Sequence, residues 1–265
     1  MNQRWRSRRS CYRPNGEVIC TREYEIAAIS RDGEAREFIE EHHYSRSYPA
    51  ARFRFGLYRH GELTGVAVFS HPCNDAVLTT VFRCPVLAAV ELGRFVLLDD
   101  VPANGETWFL ARCFELLKHA DLIGVVSFSD PVPRRSVSGQ IIHPGHVGTI
   151  YQAFNGRYLG RGASRTILLL PDGSVLNSRT VQKIRRLERG WKYAAALLEK
   201  FGADPLNDDP NLWLDRWLPA LTRRLRHPGN HKYAWPLQKS ARKWLPLSLP
   251  YPKFSPLFVD PRLRP

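Results

Sequence analysis

The stretch from Val90 to Ser129 restricts the fold more than any other part of the chain. Val90–Leu98 is an apolar run with strand alternation. Asn104 can cap a helix to Lys118 that carries Phe109, Cys113, Leu116 and Leu117 on one face, and Leu122–Ser129 is a short apolar segment. Strands joined through a helix lie parallel, and a parallel strand is buried on both faces. A mixed α/β sandwich follows, with the strand before the crossover helix near its centre. Asp32 opens an earlier helix through Tyr44, since Ala35, Phe38, Ile39 and His42 recur at i, i+3, i+4 and i+7. Arg52–Arg59, Leu63–Ser70 after the His60-Gly61 turn, Val77–Arg83 and Val90–Leu98 read as an antiparallel meander.

From Ser178 the pattern becomes helical. Ser178 can cap a helix running past Arg189, and Trp191–Phe201 continues it until Gly202 supplies a stop. Leu214, Trp217, Leu218, Leu221 and Leu225 mark an amphipathic stretch kinked at Pro219. The predicted organisation is a basic, weakly ordered arm over residues 1–22, a catalytic core over 23–173, a basic helical region over 174–245 that closes with a core strand, and a Pro-rich tail over 246–265, extended or disordered.

Charge narrows the function. The 265 residues carry 39 Lys and Arg against 25 Asp and Glu, a net charge of +14, which makes an anionic polymer the first suspect. Between Ser174 and Leu245 the count is 15 against 6. Arg4, Arg6, Arg8, Arg9 and Arg13 precede the first acid, Glu17. No apolar run approaches the roughly 18–20 residues of a membrane span. The 5 Cys are scattered without a C-x-x-C pair, so they read as reduced thiols and not as a zinc or disulfide framework.

Four segments hold side chains suited to chemistry. His42-His43-Tyr44-Ser45-Arg46 ends the first helix with groups that can serve as acid, base or ligand, or complement the helix dipole. Ser127-Phe128-Ser129-Asp130-Pro131 ends an apolar strand in a Ser and a carboxylate, where ligands collect in open sheets, although Asp before Pro also makes an ordinary turn. His143-Pro144-Gly145-His146-Val147-Gly148 leads to a helix starting near Thr149, which presents Tyr151 from its first turn. His143 and His146 also raise a metal reading, without a nearby carboxylate or Cys to complete it. Gly229–Trp235 interleaves cations and aromatics, which suits nucleic acid or an edge strand packing on the core.

In this order the segments resemble the Mom family of phage DNA-modification proteins, over roughly residues 36 to 237. His43-Tyr44-Ser45 is similar to the family's H-Y-S. Glu91-Leu92-Gly93-Arg94-Phe95, with Pro102-Ala103-Asn104 and Glu106-Thr107, resembles E-L-x-R followed by P-x-N-x-E-[ST]. Ser127–Pro131 resembles S-Y-A-D-P, with Phe128 and Ser129 replacing Tyr and Ala. Gly145–Ala153 resembles G-H-x-G-x-I-Y-Q-A, and Gly229–Leu237 the closing K-H-R-Y segment.

The resemblance implies a fold like that of the GCN5-related N-acetyltransferases (GNAT), a mixed, mostly antiparallel sheet flanked by helices. It implies acyl-CoA (acetyl-CoA) bound where two central strands splay, although the loop Asp99 to Asn104 lacks the pyrophosphate signature R/Q-x-x-G-x-G/A. Iron is associated with the family, with His42, His43, His143 and His146 as candidate ligands here. The implied reaction converts adenine N6 of double-stranded DNA, with the base flipped out, to a carbamoylmethyl (acetamido) derivative. Such a phage- or prophage-encoded transferase works in the host cytoplasm and hides DNA from restriction enzymes. Asp130 and Tyr151 are then expected at the centre, Ser127 orienting, His43 and Tyr44 facing them, and Arg94, Phe95, Asn104 and Thr107 toward the donor. Lys183, Arg185, Arg186, Arg189 and Lys232 are expected on DNA phosphates, and His231 is expected to contact DNA beside them. The alternatives are an acetyl-CoA-dependent N-acetyltransferase acting on a protein or small amine, and a non-catalytic DNA-binding protein.

Overall fold

The computed structural model describes the backbone of Asn2–Arg6 and Arg9–Arg13 and, in full, residues 16–253. The chain forms two compact units. The first is Met1–Pro131 with Gly145–Gly162 and Asn230–Pro265, and the second is Val132–Pro144 with Ala163–Gly229. These limits differ from the boundary read at residue 174, because 163–173 belong to the second unit and 230–245 return to the first. At the start of the chain, β1 (Asn2–Arg6) and β2 (Arg9–Arg13) pair as an antiparallel ribbon, where the charge run alone suggested a weakly ordered arm.

The first unit is built on a seven-stranded sheet of β3 (Tyr24–Ala28), β4 (Ala51–Arg59), β5 (Glu62–Ser70), β6 (Ala89–Leu97), β7 (Gly124–Ser129), β10 (Arg157–Arg161) and β14 (His231–Pro236), in the order β10-β14-β7-β6-β5-β4-β3. Every neighbour is antiparallel except β6 and β7. The expected crossover between them is made by α3 (Gly105–His119), which buries Phe109, Leu110, Cys113, Phe114 and Leu117 against one sheet face. Each such Phe or Leu contributes roughly 1.5–3 kcal/mol of burial. The other face takes α1 (Asp32–His42), through Ala35, Phe38 and Ile39 on Val66 and Val68 of β5. It also takes α2 (Ala76–Phe82), through Leu78, Val81 and Phe82 on Val126 and Ala234. The mixed sheet flanked by helices is the architecture the sequence led us to expect.

One expectation for this unit is corrected. Val77–Arg83 is the helix α2 and not a strand: its buried residues recur at i, i+3 and i+4, the Asn74 side chain accepts the Ala76 amide at 2.9 Å, and Arg83 ends it at φ 50°. The segment after Gly229 is the core strand expected to close the basic region, and the edge-strand alternative does not hold, since β14 lies between β7 and β10. The unit is completed by α4 (Thr149–Ala153) and α8 (Lys239–Arg242). Residues 246–253 run without helix or strand, Leu249 donating its amide to Tyr158 O at 2.9 Å. The rest of the Pro-rich tail lies outside the described residues.

The second unit holds the hairpin of β8 (Arg134–Arg135) and β9 (Ile141–His143), and a three-stranded antiparallel sheet of β11 (Arg165–Leu169), β12 (Val175–Leu176) and β13 (Arg223–His227), with β11 central. Its own core joins Leu170 and Leu176 to α5 (Ser178–Arg185), α6 (Trp191–Glu199) and α7 (Pro210–Leu221) through Ile184, Leu198 and Leu214. The helix read past Arg189 ends at Arg185. Leu225, read as helical, lies on β13, because Thr222 turns extended and the next five residues pair with β11. Among the described residues no helix is long and apolar enough to cross a membrane.

Gly124 starts β7 with the Phe82 ring directly above it: a Cβ there would lie 2.3 Å from the ring, whose side chain is fully buried. Gly124→Ala is therefore expected to lower stability by about 1–3 kcal/mol, read as a lower urea midpoint at unchanged slope.

Candidate active site

The pairing of β6 and β7 stops early. Their last paired residues are Leu92 and Ser127, after which β6 pairs only with β5 and β7 only with β14. The two central strands therefore part at mid-sheet, and the polar segments of the first unit gather around this fork. An extra residue in β6 sets what points there. Glu91, Leu92 and Arg94 oppose Ser70, Phe69 and Val68, so Gly93 is a bulge. Strand alternation breaks across it. Leu92 and Phe95 both face the α3 side, and Glu91 and Arg94 share the other. A Cβ on residue 93 would sit 2.5 Å from Ser70 Oγ, so only Gly fits without displacement.

Arg94 is fixed from behind. Its Nε donates to Ser47 O at 2.8 Å, Nη2 to Ser47 Oγ at 2.7 Å and Nη1 to Gly93 O at 2.6 Å. Burial lowers its pKa, opposed by Tyr44, Glu91 and Tyr151. Burial also pushes the Glu91 carboxyl up to about 7, with Arg94 pulling the other way. Sequence reading quoted Glu91 only as part of a motif and gave it no role. Nothing in the spacing announces that a one-residue bulge at Gly93 puts it on the same side as Arg94.

From the β7 side, Ser127 Oγ donates to Leu92 O at 2.9 Å, bridging the end of the pair. Burial raises the Tyr151 phenol pKa, and the nearby Ser127 side chain opposes that rise. Tyr151 is presented from the first turn of α4, as expected, after Gly148 at φ 77°. It packs on Tyr233 and Trp235 at ring distances of 5.5 and 5.7 Å. Gln152 anchors α4 by donating to Val147 O, Tyr233 Oη and Pro252 O, each at 3.1 Å.

The H-Y-S segment meets this group through Tyr44, whose hydroxyl shares a 3.1 Å hydrogen bond with His146 Nε2. His43 is buried, and its Nδ1 accepts the Ser45 amide at 3.1 Å and faces Ser45 Oγ at 2.8 Å. Asp130 follows the end of β7, accepts the His146 amide on its carbonyl at 2.8 Å, and electrostatically favours protonation of His146 and His231. Burial outweighs it and holds both rings down to about 4. His231 was expected to contact DNA. It is instead 1% exposed and neutral, with Nδ1 bonded to Tyr158 Oη at 2.8 Å, so it is an interior group. Its Nε2 and the Oγ of the directly opposed Ser129 are buried without a hydrogen-bond partner among the described residues. Two neighbouring polar groups on adjacent strands are thus buried with hydrogen-bonding capacity unused by the described residues.

The other expected site residues lie elsewhere. Phe95 packs on Phe109 at 5.7 Å. Asn104 opens α3 at φ 71°, with its side chain donating to Glu17 O at 3.3 Å, and Thr107 Oγ1 donates to Asn104 O at 3.2 Å. The start of α3 does not fit the diphosphate of an acyl-CoA: the Glu17 carboxylate already accepts the Ala103 amide at 2.9 Å, and Asp99 and Asp100 precede it. His42 lies on Phe38, and His143 ends β9 in the second unit. Among the described residues no three His, Cys, Asp or Glu side chains form a metal-ligand group, so the iron set implied by resemblance finds no frame here. In the second unit Arg185, Arg186 and Arg189 are exposed and Lys183 is half-buried. Lys232, on β14 of the first unit, is also half-buried. Arg223, Arg224 and Arg226 on the edge strand β13 are exposed cations that helical periodicity had concealed.

A model of the Mom protein family matches residues 23–253. No curated protein sequence matches the chain. Among solved structures, the chain is similar to a tandem GNAT protein from the clavulanic acid biosynthesis pathway, at 8% identity over 82% of this chain and 99% of that one, with TM-score 0.42. An N-acetyltransferase from Staphylococcus aureus Mu50 is similar at 12% identity over 81% and 99%, with TM-score 0.36. A Bacillus subtilis acetyltransferase solved in complex with CoA is similar at 8% identity over 82% and 99%, with TM-score 0.33.

Neutral histidines at the fork have a measurable sign. The imidazole proton shifts of His146 and His231 are expected to stay constant from pH 8 to about pH 5. An unfolded chain protonates both near 6.5, so stability is full above that pH and falls as pH drops toward about 4. His146→Gln and His231→Gln together should flatten that limb of the pH–stability curve.

Proposed function

The chain belongs to the Mom protein family, and from that premise we propose that it is a phage- or prophage-encoded transferase, acting in the host cytoplasm, that converts adenine N6 in double-stranded DNA to a carbamoylmethyl derivative and so shields the DNA from restriction. The observation that carries this reading is the convergence of Glu91, Arg94, Ser127 and Tyr151 on the fork between β6 and β7. Adenine N6 is a weak nucleophile, since its lone pair is delocalised into the ring. Transfer to it needs an extruded base, a base to take the amine proton as the N6–carbon bond forms, and a donor held in place whose bond to its leaving group breaks, the electron pair departing with that group. Glu91 is poised near neutrality for the proton. Tyr151, whose pKa burial raises, remains protonated through the physiological range and offers its hydroxyl as a hydrogen-bond donor. Arg94, clamped by Ser47, supplies a fixed positive charge against negative charge that develops on the donor. His231 Nε2 and Ser129 Oγ are suited to the polar edge of a purine. The described residues offer no fitting site for a CoA diphosphate or an iron ion.

The deciding experiment is a nucleoside digest, read by mass spectrometry, of DNA from cells expressing the chain. A carbamoylmethyl adenosine supports the reading, and unmodified DNA from cells containing the soluble, folded protein overturns it.

Glu91 gives a pH signature. Activity should climb with pH and level above about 7, where the carboxylate is ionised, and Glu91→Gln should lose roughly 100-fold or more with a flat profile. Stability moves the opposite way. A carboxyl raised from 4.5 to about 7 stabilises the fold fully only below 4.5, and that contribution is lost as pH rises through 7. Glu91→Gln should therefore gain stability relative to wild type over that window.

For the DNA partner, phosphate contacts release counterions, and log K falls with log salt at a slope of about −0.9 per contact. Arg185→Glu with Arg186→Glu is expected to make the slope shallower by up to about two, equally on all sequences. An unchanged slope would place both arginines off the interface.

A further inference from the structure

Seven non-glycine residues among those described sit at positive φ. Six are Arg, His, Asn or Asp, and the seventh is Leu187 at φ 48°. The turn that holds it is a helix stop. After α5, the Glu188 amide donates to Lys183 O at 3.0 Å and the Leu187 amide to Ile184 O at 3.1 Å. In this pair of bonds the residue in the left-handed position is normally Gly, because a Cβ crowds the backbone there. Leucine is among the least suited residues, and burial does not compensate, since the side chain is 49% exposed. Its surroundings are cationic. Arg185, Arg186 and Arg189 are exposed around it, and among the described residues no carboxylate pairs with them. The one acid in the turn, Glu188, is held by Arg179 at 2.5 Å.

A strained, exposed, apolar tip with three exposed arginines within two residues of it is unfavourable in water. It fits a partner that offers phosphates on either side of an apolar stack. We propose that Leu187 is a wedge that inserts between base pairs of duplex DNA from the minor groove while the flanking arginines hold the two phosphate rows. This rests on the duplex-DNA reading above and adds to it a residue that parts a base step of the bound duplex. Side chains of this kind part base steps and bend the duplex, which lowers the barrier to extruding a base.

The test uses the full chain and Leu187→Gly, which restores the residue the turn geometry favours. The variant should melt at or above the wild-type temperature. On duplexes carrying 2-aminopurine at spaced adenine positions and dyes at both ends, wild type should raise the 2-aminopurine fluorescence and shorten the end-to-end distance. The Gly variant should bind with the same salt slope, lose both signals, and modify DNA at least tenfold less, while Leu187→Met keeps all three. Wild-type fluorescence, bending and modification in the Gly variant would overturn the wedge and leave the DNA reading standing. A Gly variant that melts well below wild type would also overturn it, by making the side chain a structural one. Failure of wild type to bind duplex DNA would remove the reading and the wedge together.

Discussion

The extra residue in β6 decides what the fork contains. In an unbroken strand Glu91 and Arg94 would stand on opposite faces, and Arg94 would enter the apolar side against α3, among Phe109, Leu110 and Phe114. An unpaired guanidinium there would be costly. Gly93 resets the alternation, so the strand returns Phe95 and Leu97 to the α3 core and leaves both charged groups on the other side. The end of the parallel pairing one residue earlier makes the same place the point where two backbones separate. Packing and chemistry thus depend on one glycine whose missing Cβ lets Ser70 close in.

The two units differ electrostatically in kind as well as in amount. Around the fork, burial drives groups toward neutrality: both histidines lose their charge, the phenol keeps its proton, and a carboxyl is brought near the middle of its titration. Arg94 is the permanent cation of that network, and three hydrogen bonds from its guanidinium fix its position. Groups close to neutrality exchange protons cheaply, which suits chemistry at a weakly basic amine. The second unit instead displays guanidinium groups whose charge no physiological pH alters, on the turn after α5 and along β13. Such charges suit the holding of phosphates and contribute nothing to proton transfer.

The sequence disclosed the elements with strong periodicity. The β6-α3-β7 crossover, α1, the first meander strands and the start of α4 were all readable, because in each a single burial pattern dominates. Val77–Arg83 was misread because Val, Thr and Phe favour strands, while three buried contacts at helical spacing decide the outcome. Leu225 misled for the converse reason, continuing a helical spacing by chance into an extended edge strand. The site was legible where a side chain ends an element, as with Tyr151 and Ser127. It was hidden where its presence depends on register, as with Glu91, or on contact between distant segments, as with Glu17 at the start of α3. His231 looked like a nucleic-acid contact beside Lys232 and Tyr233, but alternation along β14 turns it inward.

The placement of β14 has a consequence for synthesis on the ribosome. It fills the gap between β7 and β10, yet it is translated about a hundred residues after β7, which takes roughly 5–20 s at ordinary elongation rates. Until then β7 has an open, apolar edge, of the kind that pairs with other chains. The second unit, which occupies most of the interval, can fold around its own core in the meantime. The fork acquires Tyr233 and His231 only when this strand arrives, so the nascent chain passes through a stage in which its largest sheet is split in two and its reactive groups have not yet been assembled.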